Sequence, residues 1–169
     1  GDPRDLHSFP TRRSSDLDML SIRYAVAGNL SVLAVPAAAK PPERKDRLWE
    51  GTCLELFLGA KGAGGYWEFN LSPAGHWNVY RFTSCREGTQ EEPAYSSLLF
   101  GIRVEPEILR LSLDLDLGKI LPSGRTVEAG VCAVTRTITG GTIHWALTHP
   151  GPRPDFHRRD GFALTIPGG

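Results

Sequence analysis

Between Leu109 and Leu117 every odd position is leucine, and the even positions are Arg110, Ser112, Asp114 and Asp116. Successive side chains of a strand point to opposite faces, so this spacing makes one face apolar and the other wet. Wound as a helix, the same leucines would be scattered around the whole circumference. The segment is therefore a β-strand with one face on a core, and it sets the reading of the remainder. Thr52 to Leu58 alternates too, with Leu54, Leu56 and Leu58 facing inward and Glu55 and Phe57 outward. Tyr66 to Leu71 and Trp77 to Phe82 follow, joined through Gly62 to Gly65 and Ser72 to Gly75 as a meander.

Further strands are expected at Leu20 to Val26, Ser31 to Val35, Leu98 to Val104, Thr126 to Arg136, Thr142 to Leu147 and Gly161 to Ile166, with Gly140-Gly141 a hairpin turn. Asp116 to Leu121 is expected to form a short helical turn. About nine or ten strands in one domain need two packed sheets, so the expected fold is all-β, a two-sheet antiparallel β-sandwich.

With 169 residues there is room for one ordinary core. The 19 basic residues balance 19 acidic ones, which points to no nucleic-acid or anionic-membrane partner. Apolar runs stop well short of the ~20 residues that a membrane span needs, and no signal peptide opens the chain. Cys53, Cys85 and Cys132 form no CxxC pair, so neither a disulfide framework nor a zinc site is expected; a reducing, cytoplasmic setting fits slightly better.

His7 to Leu17, HSFPTRRSSDL, resembles the translated sequence of a common short-read sequencing adapter, and Gly1 to Leu6 continue it except at Pro3. Residues 1–17 are therefore expected to be a non-native tail with no place in either sheet, and residues 18–169 to be an N-terminally truncated domain. That truncation leaves the localisation of the native protein open.

Three segments carry candidate chemistry. Arg47 to Phe57 puts Trp49 in a loop mouth and Glu55 on the outer side of the next strand, an aromatic face and an acceptor pair of the kind a sugar site uses. Alternatively Trp49 caps the core and Glu55 is solvated. In Trp77 to Phe82, Arg81 shares a face with Trp77 and Val79 and calls for a carboxylate partner or a ligand; Glu55 is the expected partner. His149 to Asp160 gathers His149, Asp155 and His157 among three prolines, as a binding rim, a structural clasp, or a metal or acid-base site.

DRLWEGTCLELFLG (Asp46 to Gly59), YWEFNLSPAGHWNVYRF (Tyr66 to Phe82) and WALTHPGPRPDFHRRDGF (Trp145 to Phe162) together resemble DOMON-like proteins, which are similar to family 9 carbohydrate-binding modules. The resemblance implies a non-catalytic module for a carbohydrate or other small polar ligand, with Trp49, Glu55, Arg81 and Trp145 as ligand-binding residues. Its alternatives are a haem-binding electron-transfer domain and a structural or interaction module. DOMON cytochromes hold haem with an axial Met beside a His or Lys, and Met19 is the one Met of this chain. No GxSxG, HExxH, phosphate loop or Cys/His nucleophile pair suggests an enzyme, although Glu55 and Glu68 could form a glycosidase pair if both faced one groove. Neither a cofactor nor a metal is expected.

Overall fold

The computed structural model describes residues 5–14, as a backbone path, and residues 18–168. In chain order its strands are β1 (Asp5–Ser14), β2 (Met19–Ala27), β3 (Cys53–Ala60), β4 (Tyr66–Leu71), β5 (Trp77–Phe82), β6 (Gln90–Glu91), β7 (Phe100–Glu105), β8 (Ile108–Asp116), β9 (Val127–Arg136), β10 (Thr142–Ala146) and β11 (Leu164–Ile166). They form an antiparallel β-sandwich. One sheet runs β1-β2-β8-β7; the other runs β10-β9-β3-β4-β5-β6, with β11 also on β9.

The leucines of β8 are buried as their spacing demands, Leu109, Leu111, Leu113 and Leu115 each being at most 1% exposed. Against them the larger sheet sets Leu54, Leu56, Leu58, Phe69, Leu71, Val79, Val131 and Ala133. The two layers are also tied by a hydrogen bond, in which the buried Tyr24 hydroxyl of β2 donates to the Glu55 carbonyl of β3 at 2.7 Å. The meander β3-β4-β5 closes through the Ser72–Gly75 turn, where Gly75 N–H donates to the Ser72 carbonyl and φ is +94°. That left-handed backbone explains the glycine.

Burial does not stop at the inner layer. All eight residues of β3 are buried, outward-pointing positions included. The outer face of the larger sheet carries a second apolar cluster of Phe57, Tyr66, Tyr80, Phe82, Cys132 and Phe162, with Phe156 packed onto it. The proline-rich segment 148–163 thus lies over this face as a cover.

Three local expectations change. Ser31 to Val35 is a 3-10 turn at Leu30–Val32, because the Asn29 carboxamide accepts from the Ser31 N–H and winds the backbone; only Leu33 bridges to the sheet, at Thr137. β6, two residues long, was too short to read. The tail does have a place: β1 pairs with β2 along the edge of the smaller sheet. An edge strand offers unpaired backbone donors and acceptors to any extended chain, so pairing there needs no matched sequence. The expected short turn after β8 is present at Leu117–Lys119, with Asp116 accepting from the Gly118 N–H.

Leu113 sits at the centre of β8 and is sealed on every side. Leu113→Ala should lower unfolding free energy by about 2–5 kcal/mol in a urea titration, whereas the exposed Leu99→Ala should change it by less than about 0.5 kcal/mol.

Candidate functional site

The outer face of β3, β4 and β5 is a lattice set by register. Glu55 lies opposite Asn70, which lies opposite Asn78; in the next row Phe57 lies opposite Glu68, which lies opposite Tyr80. Alternation sends all of these away from the core; the cover segment reaches Phe57 and Glu68, and the turn at residues 48–50 lies against β3 and β4. Glu55 is 3% exposed and Glu68 5%; Asn70 and Asn78 are fully buried.

Above this lattice is a cavity of about 450 Å³, lined among others by Trp49, Glu55, Glu68, Tyr80, Arg86 and His157. Its size falls in the range of small-ligand pockets, ~300–1,000 Å³. A 3-10 turn at Leu48–Glu50 lifts Trp49 to the mouth, where the indole meets Tyr80 edge-on at 5.9 Å and stays 40% exposed. Tyr80 is held in place as its hydroxyl accepts from Asn78 Nδ2 at 2.8 Å and donates to Asp46 Oδ1 at 2.5 Å.

The opposite wall is a hydrogen-bonded chain. The Arg86 guanidinium donates to Asp155 Oδ1 at 2.8 Å, and the same oxygen accepts from the His157 N–H at 3.2 Å. The Arg86 N–H donates to the Tyr66 hydroxyl at 3.1 Å, which leaves Tyr66 to donate to His157 Nδ1 at 2.8 Å. The imidazole proton then sits on Nε2, facing Glu68 Oε2 at 3.7 Å. The other Glu68 oxygen, Oε1, accepts from Asn70 Nδ2 at 2.8 Å.

Glu55 is the exception. Its Oε1 is buried and has no hydrogen-bond partner among the described residues. Burial, and then repulsion from Glu68, push the Glu55 carboxyl far above the usual range. Burial raises Glu68 to about 7, partly offset by the Asn70 hydrogen bond and the Arg86 charge. Burial, and then Arg86, lower His157 to about 4, although Asp155 acts in the opposite sense. Asp155 loses solvation, but its bond to Arg86 holds it below the ordinary carboxylate value. Near neutrality the floor is thus two protonated or part-protonated carboxyls beside a neutral histidine.

Of the residues expected to form the site, Trp49 and Glu55 line one cavity; Arg81 and Trp145 do not. Arg81 follows the inward register of β5 but lies past the core at the sheet's exposed end, where its guanidinium donates to Gln90 Oε1 at 3.2 and 2.5 Å. Glu55 is on the opposite face, so the expected Arg81–Glu55 pair does not form. Trp145 stands opposite the inward Ala133; it packs on the core and donates to the buried Thr135 hydroxyl at 3.0 Å. Its neighbour His144, opposite Val134, takes the outward place and lines the cavity.

The cation of the site is instead Arg86, in the turn after β5, which carries no alternation to read. In the His149, Asp155 and His157 trio, the latter two line the cavity while His149 rests beside Phe156. Among the described residues no three His, Cys, Asp or Glu side chains gather as a metal-ligand set. All three cysteines are free, Cys53 and Cys132 buried and Cys85 exposed.

No protein-family profile and no curated protein match the chain. A solved structure does share the architecture. It is that of a "putative carbohydrate-binding protein" from Bacteroides uniformis, 18% identical, superposing with a TM-score of 0.63 over 94% of this chain and 77% of that one. At this identity the likeness is one of fold. Among the described residues no helix is long and apolar enough to cross a membrane.

The two titrations act on stability with opposite signs. A folded Glu68 at about 7, against 4.5 when unfolded, keeps a proton that the unfolded chain releases, so stability falls as pH rises through that window. A folded His157 at about 4, against 6.5, resists a proton that the unfolded chain binds, so stability falls as pH drops from 6.5 through about 4. The two windows overlap almost completely, so the effects largely cancel and thermal melts should show only a shallow maximum near pH ~5.5; Glu68→Gln should remove the alkaline limb, leaving stability that rises by roughly 3 kcal/mol from pH ~4 to ~6.5.

Proposed function

We propose that this β-sandwich is a non-catalytic module for a carbohydrate or small polyol, of the DOMON-like kind similar to family 9 carbohydrate-binding modules. The observation that carries the reading is the juxtaposition in one cavity of the half-exposed Trp49 ring with Glu55 Oε1, a buried acceptor that lacks a partner. An isolated buried polar atom costs about 1–3 kcal/mol, which a ligand hydroxyl would recover on binding. The indole offers an apolar surface to the C–H face of a pyranose. The name given to the structural neighbour agrees with this reading. Arg86 takes the place expected for Arg81, and Tyr80 that expected for Trp145.

Glu55 and Glu68 face one groove, as a glycosidase pair would. Retaining hydrolysis, however, sets an ionised nucleophile against a protonated acid. Here burial pushes both carboxyls up, and the more deeply buried Glu55 has only Glu68, a like charge, as its second influence. A nucleophilic carboxylate is held ionised by donors or cations, whereas Glu55 Oε1 has no hydrogen-bond donor among the described residues and Glu68 is part-protonated near neutrality, so the pair is read as hydrogen-bonding groups. Haem also fits the cavity poorly: Met19 lies at the start of β2 in the other sheet, on the face turned away from the core, with the sandwich between it and His144 or His157.

A glycan array followed by calorimetric titration of its best hit should give a ligand whose affinity drops at least about tenfold in Trp49→Ala, with melting almost unchanged because the ring is only half-buried. Arg81→Ala should change neither measurement. An array without any hit would remove the carbohydrate reading.

A further inference from the structure

We infer that the cavity is built for a cationic sugar, a pyranose carrying a free primary amine whose ammonium group bridges the Glu55 and Glu68 carboxyls. The inference rests on the sugar-site reading above and narrows its ligand class.

The case begins with the titratable groups on the outer face in and around the cavity. β3 supplies Glu55 and, beside it, Cys53; β4 supplies Glu68 and Tyr66; β5 supplies Tyr80; β9 supplies Cys132; and β10 supplies His144. The loops add Asp46, Arg86, Asp155 and His157. Arg86 is the one Lys or Arg lining the cavity among the described residues, and it is committed to Asp155 at 2.8 Å. Tyr80 donates its proton to Asp46. What remains is two carboxyl groups on neighbouring strands, diagonal in the register and close enough to repel.

Their free oxygens define the ligand. Glu68 Oε1 is taken by Asn70, and Oε2 stands 3.7 Å from the His157 ring, beyond hydrogen-bond length. Glu55 Oε1 has no partner among the described residues, although Glu55 is 3% exposed. A hydroxyl brings one donor and its own lone pairs, so it satisfies one such oxygen. An ammonium brings three donors, no acceptor and the compensating charge, so it satisfies both and removes the repulsion between them. The Trp49 and Tyr80 rings beside the cavity mouth add π surface that attracts a cation.

Near pH 6.5 a proton on Glu55 and, in part, one on Glu68 keep the two carboxyls from facing each other as anions. When the ammonium binds, each carboxyl that ionises against it gives its proton to the buffer and the amine keeps its own, so binding is coupled to net proton release. A neutral sugar would displace none.

Isothermal titration at about pH 6.5, in two buffers of different ionisation enthalpy, would compare glucosamine, glucose and N-acetylglucosamine. Glucosamine should bind at least about tenfold more tightly than either neutral sugar and should alone release protons. Glu55→Gln and, separately, Glu68→Gln should each shrink that preference to less than about threefold, with circular dichroism reporting that the sandwich is intact. Equal affinity for the three sugars would overturn the inference and leave the sugar site standing. Binding of none of them at millimolar concentration would overturn the inference, while the sugar-site reading is decided separately by the glycan array.

Discussion

The larger sheet is covered on both faces, and the chemistry of the molecule depends on that constraint. Alternation along β3, β4 and β5 sends every second side chain outward. On an open antiparallel sheet those positions would be solvated, and glutamate or asparagine there would be unremarkable. Here Phe156, His157 and Phe162 of residues 148–163 pack on Phe57, Tyr66 and Phe82, and the turn at residues 48–50 lies against β3 and β4. Glu55, Glu68, Asn70 and Asn78 are thereby removed from water without being placed in the core.

Such burial is costly unless each polar atom finds a partner. Most do: Asn70 with Glu68, Asn78 with Tyr80 and Glu91, and Tyr66 with His157. The Glu55 oxygen does not. A fold selected for stability alone would place an apolar residue there, since the neighbouring outward positions Phe57, Tyr66 and Phe82 are aromatic. A partnerless acceptor beside an open cavity is the arrangement expected of a site that completes its hydrogen bonds with a ligand, at the expense of stability in its absence.

The cover also organises its own wall. Asp155 ties the segment to Arg86, in the turn after β5, and His157 reaches Tyr66 on β4. Neutral His157 is consistent with its place between Arg86 and the aromatic rings, since a second positive charge there would face the guanidinium. The same contacts that hold the cover down shape the cavity, so fold and site are not separable in this region.

Alternation alone determined the sandwich, the leucine face of β8, the β3-β4-β5 meander and the outward direction of Glu55, Glu68 and Asn70, because a period of two is a local property of the chain. The Arg47 to Phe57 segment marked Trp49, in its loop, and Glu55. Alternation could not say that Arg81, on the face expected, runs past the end of the core to Gln90, which depends on how far the packed layers extend, or that His144 and not Trp145 faces the cavity, which depends on the pairing of β10 with β9. Nor could it bring Arg86 to Asp155, 69 positions away, since neither lies on a periodic element. Whether an outward glutamate is wet or dry depends on what covers the sheet. That was decided only in three dimensions, by a proline-rich segment whose His157 meets Glu68 and by the turn at residues 48–50 that lies against β3 and β4.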